Sequence, residues 1–383
     1  MFVFVVVFTI LIATQLSPLY AKEQAPRFSQ TNNNAFQRPQ PGEIVFGQSA
    51  FLSGHHGLYG RTIKNAIECY FKFVNCKGGI DGKQLRLISL NDEGSPKKFL
   101  ENIKLLKKYG VSMFIGCTNT PSILAVLPMI KNGEISMFFP WAGHEKFRDP
   151  KLKNMINGLG FLTPQLDAIV KELVYARRIT KVALFYSGEL FSIELAQELT
   201  KLLKKYNIVP LAAYSYNPFT VNIQRPAQKL ITIEPEVIIC LGTSMPTIQL
   251  IDYFFEKGYY GVNFIGIDST LFVSRILKRR GISFTFSASV PDPVNNTLPL
   301  VKEYQVNMDH YYPDETYNIL SLAYYLSAAI VTYAIKKCEG FITPKVIINN
   351  IEKMHNTSIG GYKINFDTSD RHAFGKNIIL IKG

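Results

Sequence analysis

The sequence predicts an α/β protein made of two doubly wound parallel-sheet lobes. Three observations carry this. Apolar runs short enough for buried strands alternate with amphipathic helical stretches, as in parallel sheets covered on both faces. The rhythm occurs twice, separated near residue 160. The chain has 383 residues, enough for two units of ordinary domain size.

Residues 1–21 carry no charged side chain: an apolar stretch over 2–13 is followed by a small-polar run that contains Pro18 and ends at Ala21. This reads as a signal peptide cut near Ala21, too short to span a bilayer as a helix, and it predicts export. Residues 22–42 (KEQAPRFSQTNNNAFQRPQPG) are polar and without period, a flexible tether. The first rhythm then runs strand 44–48, a helix to 77, strand 85–90, helix 96–109, strand 112–116, helix 121–132 and strand 135–139. The second runs strand 181–186, helix 190–206, strand 209–214, helix 223–233, strand 237–242, helix 246–257 and strand 264–268. Helices follow at 299–311, 317–337 and 344–355, with short strands near 362–366 and 378–381. The uncharged segment 319–335 reads as a buried helix, because Ser and Tyr interrupt it and it is short for a membrane span.

Composition narrows the function classes. The 42 Lys and Arg against 29 Asp and Glu give a net charge of +13, which first suggests nucleic acid. The basic residues are dispersed over the ends and outer faces of predicted helices with no aromatic-interleaved stripe, so no nucleic-acid partner is expected. The five cysteines (Cys69, Cys76, Cys117, Cys240, Cys338) are an odd number. Cys69 and Cys76 lie about 10 Å apart on a helix, beyond disulfide reach, so most of the thiols read as buried small apolar residues. No zinc, nucleophile-elbow or Walker motif is present, and INGLGF (156–161) lacks the third glycine of a dinucleotide fingerprint. His55 and His56 read as a solvated loop pair. No catalytic residue, metal or cofactor is expected.

What remains are loops at the carboxyl ends of strands, where open parallel sheets bind ligands. Cys117-Thr118-Asn119-Thr120-Pro121-Ser122 leads into a helix with Pro in its opening turn. Free amides there and the Thr120 hydroxyl suit a carboxylate, and plain N-capping accounts for the loop equally well. Pro140-Trp141-Ala142-Gly143 holds the chain's single Trp, either a core residue or a stacking surface.

Six stretches in order resemble the type I periplasmic binding proteins, specifically the branched-chain amino-acid receptors of ABC transporters, the leucine-binding-protein group. They are FGQSAFLSGHHGLYG (46–60), NCKGGIDGKQLRLISLNDEGSPKK (75–98), FIGCTNTPSILAVLPMIKNGEISMFFPWAG (114–143), KVALFYSGELF (181–191), EVIICLGTSMP (236–246) and FIGIDS (264–269). The resemblance covers about 43–383 and implies two lobes joined by three crossovers, near 159–164, 290–292 and beyond 359, with hinge closure on a ligand. It divides the chain into a first lobe of 43–161 plus 291–358 and a second of 162–290 plus 359–383.

It also implies roles. Tyr59 covers the ligand; Thr120, with Trp141, Ala142 and Gly143, takes the α-carboxylate and ammonium. From the second lobe Phe191, Thr243 and Ser244 contribute contacts, and Asp268 pairs with the α-ammonium. The chain departs from the pattern in places. Phe191 has no hydroxyl, Thr243 and Ser244 stand where an aromatic is often found, and Gly143 has no side chain to offer. Asp268 is one methylene shorter than the usual Glu, and Gly94 and Asn119 occupy the positions of the group's first-lobe disulfide.

An amino acid suits Thr120 and Asp268; a flat or aromatic solute suits Tyr59, Trp141 and Phe191. The expected function is a periplasmic substrate-binding protein that delivers a small solute to an inner-membrane ABC permease. A ligand-sensing subunit for a membrane receptor is the alternative, and an enzyme on this fold a more distant one.

Overall fold

The computed structural model describes residues 38–382 apart from His55, 159–161, Arg279, Gly281, Ser283 and 375–377. The expected signal peptide, most of the tether, His55 and the start of the expected first crossover therefore lie outside the described residues.

The first sheet is formed by β1 (Glu43–Ala50), β2 (Gln84–Asn91), β3 (Met113–Ile115), β4 (Ser136–Phe138) and β5 (Met155–Ile156). Its order is β2-β1-β3-β4-β5, parallel throughout. The second sheet takes β6 (Val182–Ser187), β7 (Ala212–Tyr216), β8 (Val237–Leu241), β9 (Asn263–Gly266) and β10 (Thr285–Ala288). A short antiparallel pair, β11 (Thr357–Ile359) and β12 (Tyr362–Ile364), stands apart, and β13 (Ile379–Lys382) returns to the second sheet. The order there is β13-β10-β9-β8-β6-β7, parallel except for β13, which runs against β10. The two doubly wound sheets expected from the sequence are present.

Helices cover the sheets: α1 (Gly57–Cys76), α2 (Pro96–Lys108), α3 (Thr120–Lys131), α4 (Leu162–Lys171), α5 (Leu190–Lys205), α6 (Gln224–Thr232), α7 (Ser244–Glu256), α8 (Leu271–Lys278), α9 (Pro299–Tyr311), α10 (Ile319–Lys336) and α11 (Pro344–Glu352). Local chemistry sets several of their ends. Ser95 accepts the Lys98 N–H ahead of Pro96, and Lys107 and Lys108 sit in the last turn of α2, where cations suit the dipole. Asn318 and Ser321 form a reciprocal capping box on α10. The turn between α1 and β2 needs Gly79: its φ is +76°, and a Cβ there would lie 2.2 Å from the Lys83 carbonyl oxygen.

α10 is long and apolar enough to cross a membrane by length and composition, yet 89% of it is buried within the fold. It packs along α1 and is fixed to α9 by Asn307, whose amide donates to the Tyr325 hydroxyl at 2.7 Å. The cysteines are free thiols: Cys69, Cys117 and Cys240 are buried, Cys338 half-buried and Cys76 exposed.

Between β12 and β13, Arg371 is fully buried; its Nη1 meets Glu352 Oε1 at 2.6 Å and its Nε donates to the Met155 carbonyl at 2.9 Å. His372 bridges to Asn157 beside β5, and the Phe374 ring stacks on Phe139. Residues 371–374 thus pack on the first sheet, and among the described residues of 359–383 only β13 pairs with the second.

Candidate functional site

In each sheet the strand order reverses beside a central strand, between β1 and β3 in the first and between β6 and β8 in the second. Loops diverge at such switch points and leave a crevice outside the carboxyl ends of the strands. Most of the residues singled out from the sequence lie on these loops.

From the first sheet come Tyr59 and the Thr120 and Trp141 loops. Tyr59, in the first turn of α1, is buried and stacks on Trp141 with ring centroids 5.1 Å apart and planes at 16°. Burial pushes its hydroxyl up to about 12. The Trp141 loop is stitched to the end of β3: Trp141 N–H donates to the Cys117 carbonyl at 2.8 Å, and Asn119 N–H to the Trp141 carbonyl at 3.2 Å. Thr120 begins α3, and its hydroxyl lies 3.2 Å from both the N–H and the carbonyl oxygen of Gly143. That hydroxyl therefore ties two loops together. Asn119 gives α3 no side-chain cap, its amide donating instead to the Gly94 carbonyl and towards Ser122. Ala142, half-buried, lies between the two tied residues.

From the second sheet come Ser244 at the start of α7 and Asp268 just after β9. Ser244 is buried, and its N–H donates to the Tyr59 hydroxyl at 3.0 Å. Tyr59 in turn donates to the Ser269 carbonyl at 2.9 Å. Phe272 meets the Tyr59 ring edge-on at 5.3 Å. Thr243 is half-buried and offers no side-chain cap; its N–H donates to the Tyr216 hydroxyl at 3.3 Å.

Asp268 is 7% exposed. Gln165 of α4 holds it in a two-way pair: Gln165 Nε2 donates to Asp268 Oδ2 at 2.9 Å, and the Asp268 N–H donates to Gln165 Oε1 at 3.3 Å. Ser287 orients Gln165 from β10 at 2.7 Å. Among the described residues no Lys, Arg or His forms an ion pair with Asp268, and burial pushes its carboxyl up to about 6. A carboxylate so placed favours an incoming cation.

Thus Tyr59, Trp141 and Ser244 form one cluster, with Asp268 one residue from the Ser269 carbonyl that Tyr59 binds. Thr120, Ala142 and Gly143 adjoin it through the Trp141 loop. Phe191 stands apart, packed against the second sheet's own core.

Two further contacts cross between the loops. His56 Nε2 lies 3.6 Å from Glu189 Oε1, and His144 Nε2 lies 3.5 Å from Glu194 Oε1. His144 Nδ1 accepts the Lys146 N–H at 3.1 Å, which leaves the ring proton on the nitrogen facing Glu194. The sequence reading did not single out Gln165, Ser269 or Phe272. Gln165 belongs to a helix it left unassigned, Phe272 has the look of a core residue, and Ser269 acts through its backbone, where side-chain identity leaves no signal.

Comparison with known proteins follows this geometry. Residues 43–380 match the family described as periplasmic binding protein. A curated relative, the Leu/Ile/Val-binding protein homolog 2 of Brucella abortus (strain 2308), is 26% identical over 112 residues. That match spans 29% of this chain and 30% of the relative, less than a third of its length. Among solved structures, a possible leucine/isoleucine/valine-binding protein from Rhodopirellula baltica superimposes with a TM-score of 0.79 at 23% identity, covering 89% of this chain and 94% of that one. A branched-chain amino acid ABC transporter protein from Thermus thermophilus with bound valine gives 0.80 at 14% identity, covering 89% and 93%. The branched-chain amino acid transporter substrate-binding protein of Streptococcus pneumoniae, solved with isoleucine, gives 0.75 at 15% identity, covering 89% and 100%. At these identities the solved structures establish likeness of fold.

Proposed function

The chain belongs to the periplasmic binding protein family, and on that premise we propose that it is an exported, non-catalytic receptor that closes two lobes on an amino acid or related zwitterion for delivery to an inner-membrane ABC permease. The observation that carries this reading is Asp268, a buried carboxylate without a cationic partner among the described residues, on the loop that Tyr59 reaches from the first sheet. A buried charge is tolerated when something pairs with it, and an α-ammonium does so on binding.

The opposite charge of an amino acid has its own place. α3 begins at the site without a side-chain cap from Asn119, so its first turn offers a positive dipole end to a carboxylate. Thr120 and the backbone of Trp141, Ala142 and Gly143 shape that position, while Tyr59 and Trp141 cover the ligand. Ser244 and Thr243 complete the rim; Phe191, packed against the second sheet's own core, is not part of it. Residues 1–21 supply the export signal in this reading, and 22–42 a tether.

A thermal-shift panel of amino acids on the purified protein, followed by calorimetric titration of the hits, tests the proposal. A true ligand at a hundredfold excess over Kd stabilises by about 2.7 kcal/mol. If no amino acid or related zwitterion raises Tm, or if Asp268→Ala binds every hit as tightly as the unmodified protein, the reading fails.

A further inference from the structure

Gln165 is fully buried in α4, the helix that follows the last strand of the first sheet, and its amide is engaged at both ends. Its Oε1 accepts the Asp268 N–H at 3.3 Å and the Ser287 hydroxyl at 2.7 Å, while its Nε2 donates to Asp268 Oδ2 at 2.9 Å. These partners leave the amide one orientation. A backbone N–H can only donate and a carboxylate can only accept, so the end facing the first is the oxygen and the end facing the second is the nitrogen.

The arrangement does two things to Asp268. One side chain that binds both its N–H and its Oδ2 closes a ring and so fixes the direction of the carboxyl group. The N–H donor also bonds more strongly to a carboxylate than to the neutral acid, and so favours the charged form. Burial pushes the carboxyl up to about 6, and the bonds from Gln165 and the Ser269 N–H pull against that rise. The other groups that face Asp268, among the described residues, stay uncharged in this range. Tyr59 reaches from α1 to the Ser269 carbonyl, and burial holds its hydroxyl at about 12. α7 brings Ser244 to the same carbonyl, and β10 brings Ser287. The charged residues of α4, Asp167 and Lys171, pair with each other at 2.6 Å. A Lys or Arg in place of Gln165 would hold the carboxylate equally well but would repel an incoming ammonium; an amide holds it and leaves its charge to the ligand.

We propose that Gln165 is a positioning residue for binding: its amide aims the Asp268 carboxylate and favours its charged form, so that the receptor takes an ammonium group at neutral pH. The inference rests on the amino-acid reading above.

The test compares the unmodified protein with Gln165→Met, an apolar side chain of similar length. Without ligand, Tm of the unmodified protein should fall as pH rises through about 6 and then level, as the buried carboxyl gives up its proton. In Gln165→Met the levelling should come about one pH unit higher. Calorimetric titration uses valine, or the standard amino acid of largest thermal shift if valine does not bind. Affinity should likewise reach its plateau about one unit higher, with a loss near pH 6 roughly threefold or more beyond the loss at pH 8.5. If the levelling does not move, or if the variant weakens binding equally at every pH, Gln165 is a structural residue only and the inference is overturned while the amino-acid reading stands. Should Gln165→Met fail to fold, Ser287→Ala, which removes one donor that braces the amide, carries the same test: a smaller upward move supports the inference and an unmoved midpoint overturns it. If the unmodified protein binds no amino acid at any pH, the parent reading fails and this one with it.

Discussion

Tyr59 and Ser244, 185 positions apart in the chain, meet where the two lobes face each other: the Ser244 N–H donates to the Tyr59 hydroxyl at 3.0 Å. The same hydroxyl donates to the Ser269 carbonyl at 2.9 Å, so one phenol closes two hydrogen bonds from the first lobe to the second. Tyr59→Phe keeps the stack on Trp141 and removes both. Each bond contributes on the order of 1 kcal/mol, so the closed arrangement should lose about 2 kcal/mol relative to an open one. Small-angle scattering of the ligand-free variant should give a larger radius of gyration than the unmodified protein. An unchanged radius means that Tyr59 is not a closure contact.

The buried carboxyl of Asp268 sets a pH dependence with a definite sign. Its value is raised from 3.8 to about 6, chiefly by burial, so between these limits the folded state holds a proton that the unfolded state has released. Stability therefore falls as pH rises through that window, the reverse of a salt-bridged aspartate. At 1.36 kcal/mol per unit the penalty at neutral pH is about 3 kcal/mol. Asp268→Asn should stabilise the ligand-free protein by up to that amount near pH 7.5 and by almost nothing near pH 4, while losing amino-acid binding. Melting curves of both proteins across the range check it; a variant less stable at pH 7.5 contradicts it.

Gly60 lies directly after Tyr59, and a Cβ there would sit 2.1 Å from the backbone oxygen of Phe51. That carbonyl cannot rotate away as a side chain would. Gly60→Ala should force α1 off the loop after β1, cost about 1–3 kcal/mol by chemical denaturation, and disturb the Tyr59 position. A variant of unchanged stability shows that the loop gives way freely.

Arg371 and Glu352 form a pair in which the guanidinium is fully buried. Removing one side of such a pair leaves an uncompensated charge. Glu352→Gln should cost about 3–5 kcal/mol, while Arg371→Met, which leaves the half-buried Glu352 able to reach water, should cost less by urea denaturation. Equal losses would mean that the carbonyl contacts of Arg371 to Met155 and Lys153 matter more than the charge pair.

Much of the fold was legible because parallel strands buried on both faces read as unbroken apolar runs: Val237–Leu241 is buried at every position, and its limits differ from the expected 237–242 by one residue. Where other forces prevail the pattern fades. A strand was expected over 209–214, but the observed one is Ala212–Tyr216, since Val209 is 69% exposed, Pro210 offers no amide, and an edge strand buries little. Thr285–Ala288 escaped because its Ser287 faces Gln165 where an apolar residue would have completed the run. Leu162–Lys171 and Leu271–Lys278 escaped too; the second continues directly from the short 3-10 turn at Asp268–Thr270 without a cap of its own. At the site, loop positions were legible from strand ends. Partnerships were not: neither the Gln165 pair with Asp268 nor the reach of Tyr59 to Ser269 leaves any spacing signal, since each joins residues more than a hundred positions apart.

The antiparallel pairing of β13 with β10 also dictates a timetable. On a ribosome Ile379–Lys382 is made after every strand it must join, and the Arg371 segment that seals the first sheet is made only shortly before. Neither lobe can finish until Arg371 and Ile379–Lys382 have emerged, so synthesis leaves a long interval in which the polypeptide is still unfinished as a structure. A translocation channel that accepts only unfolded polypeptide would find the residues before them in a threadable state until then.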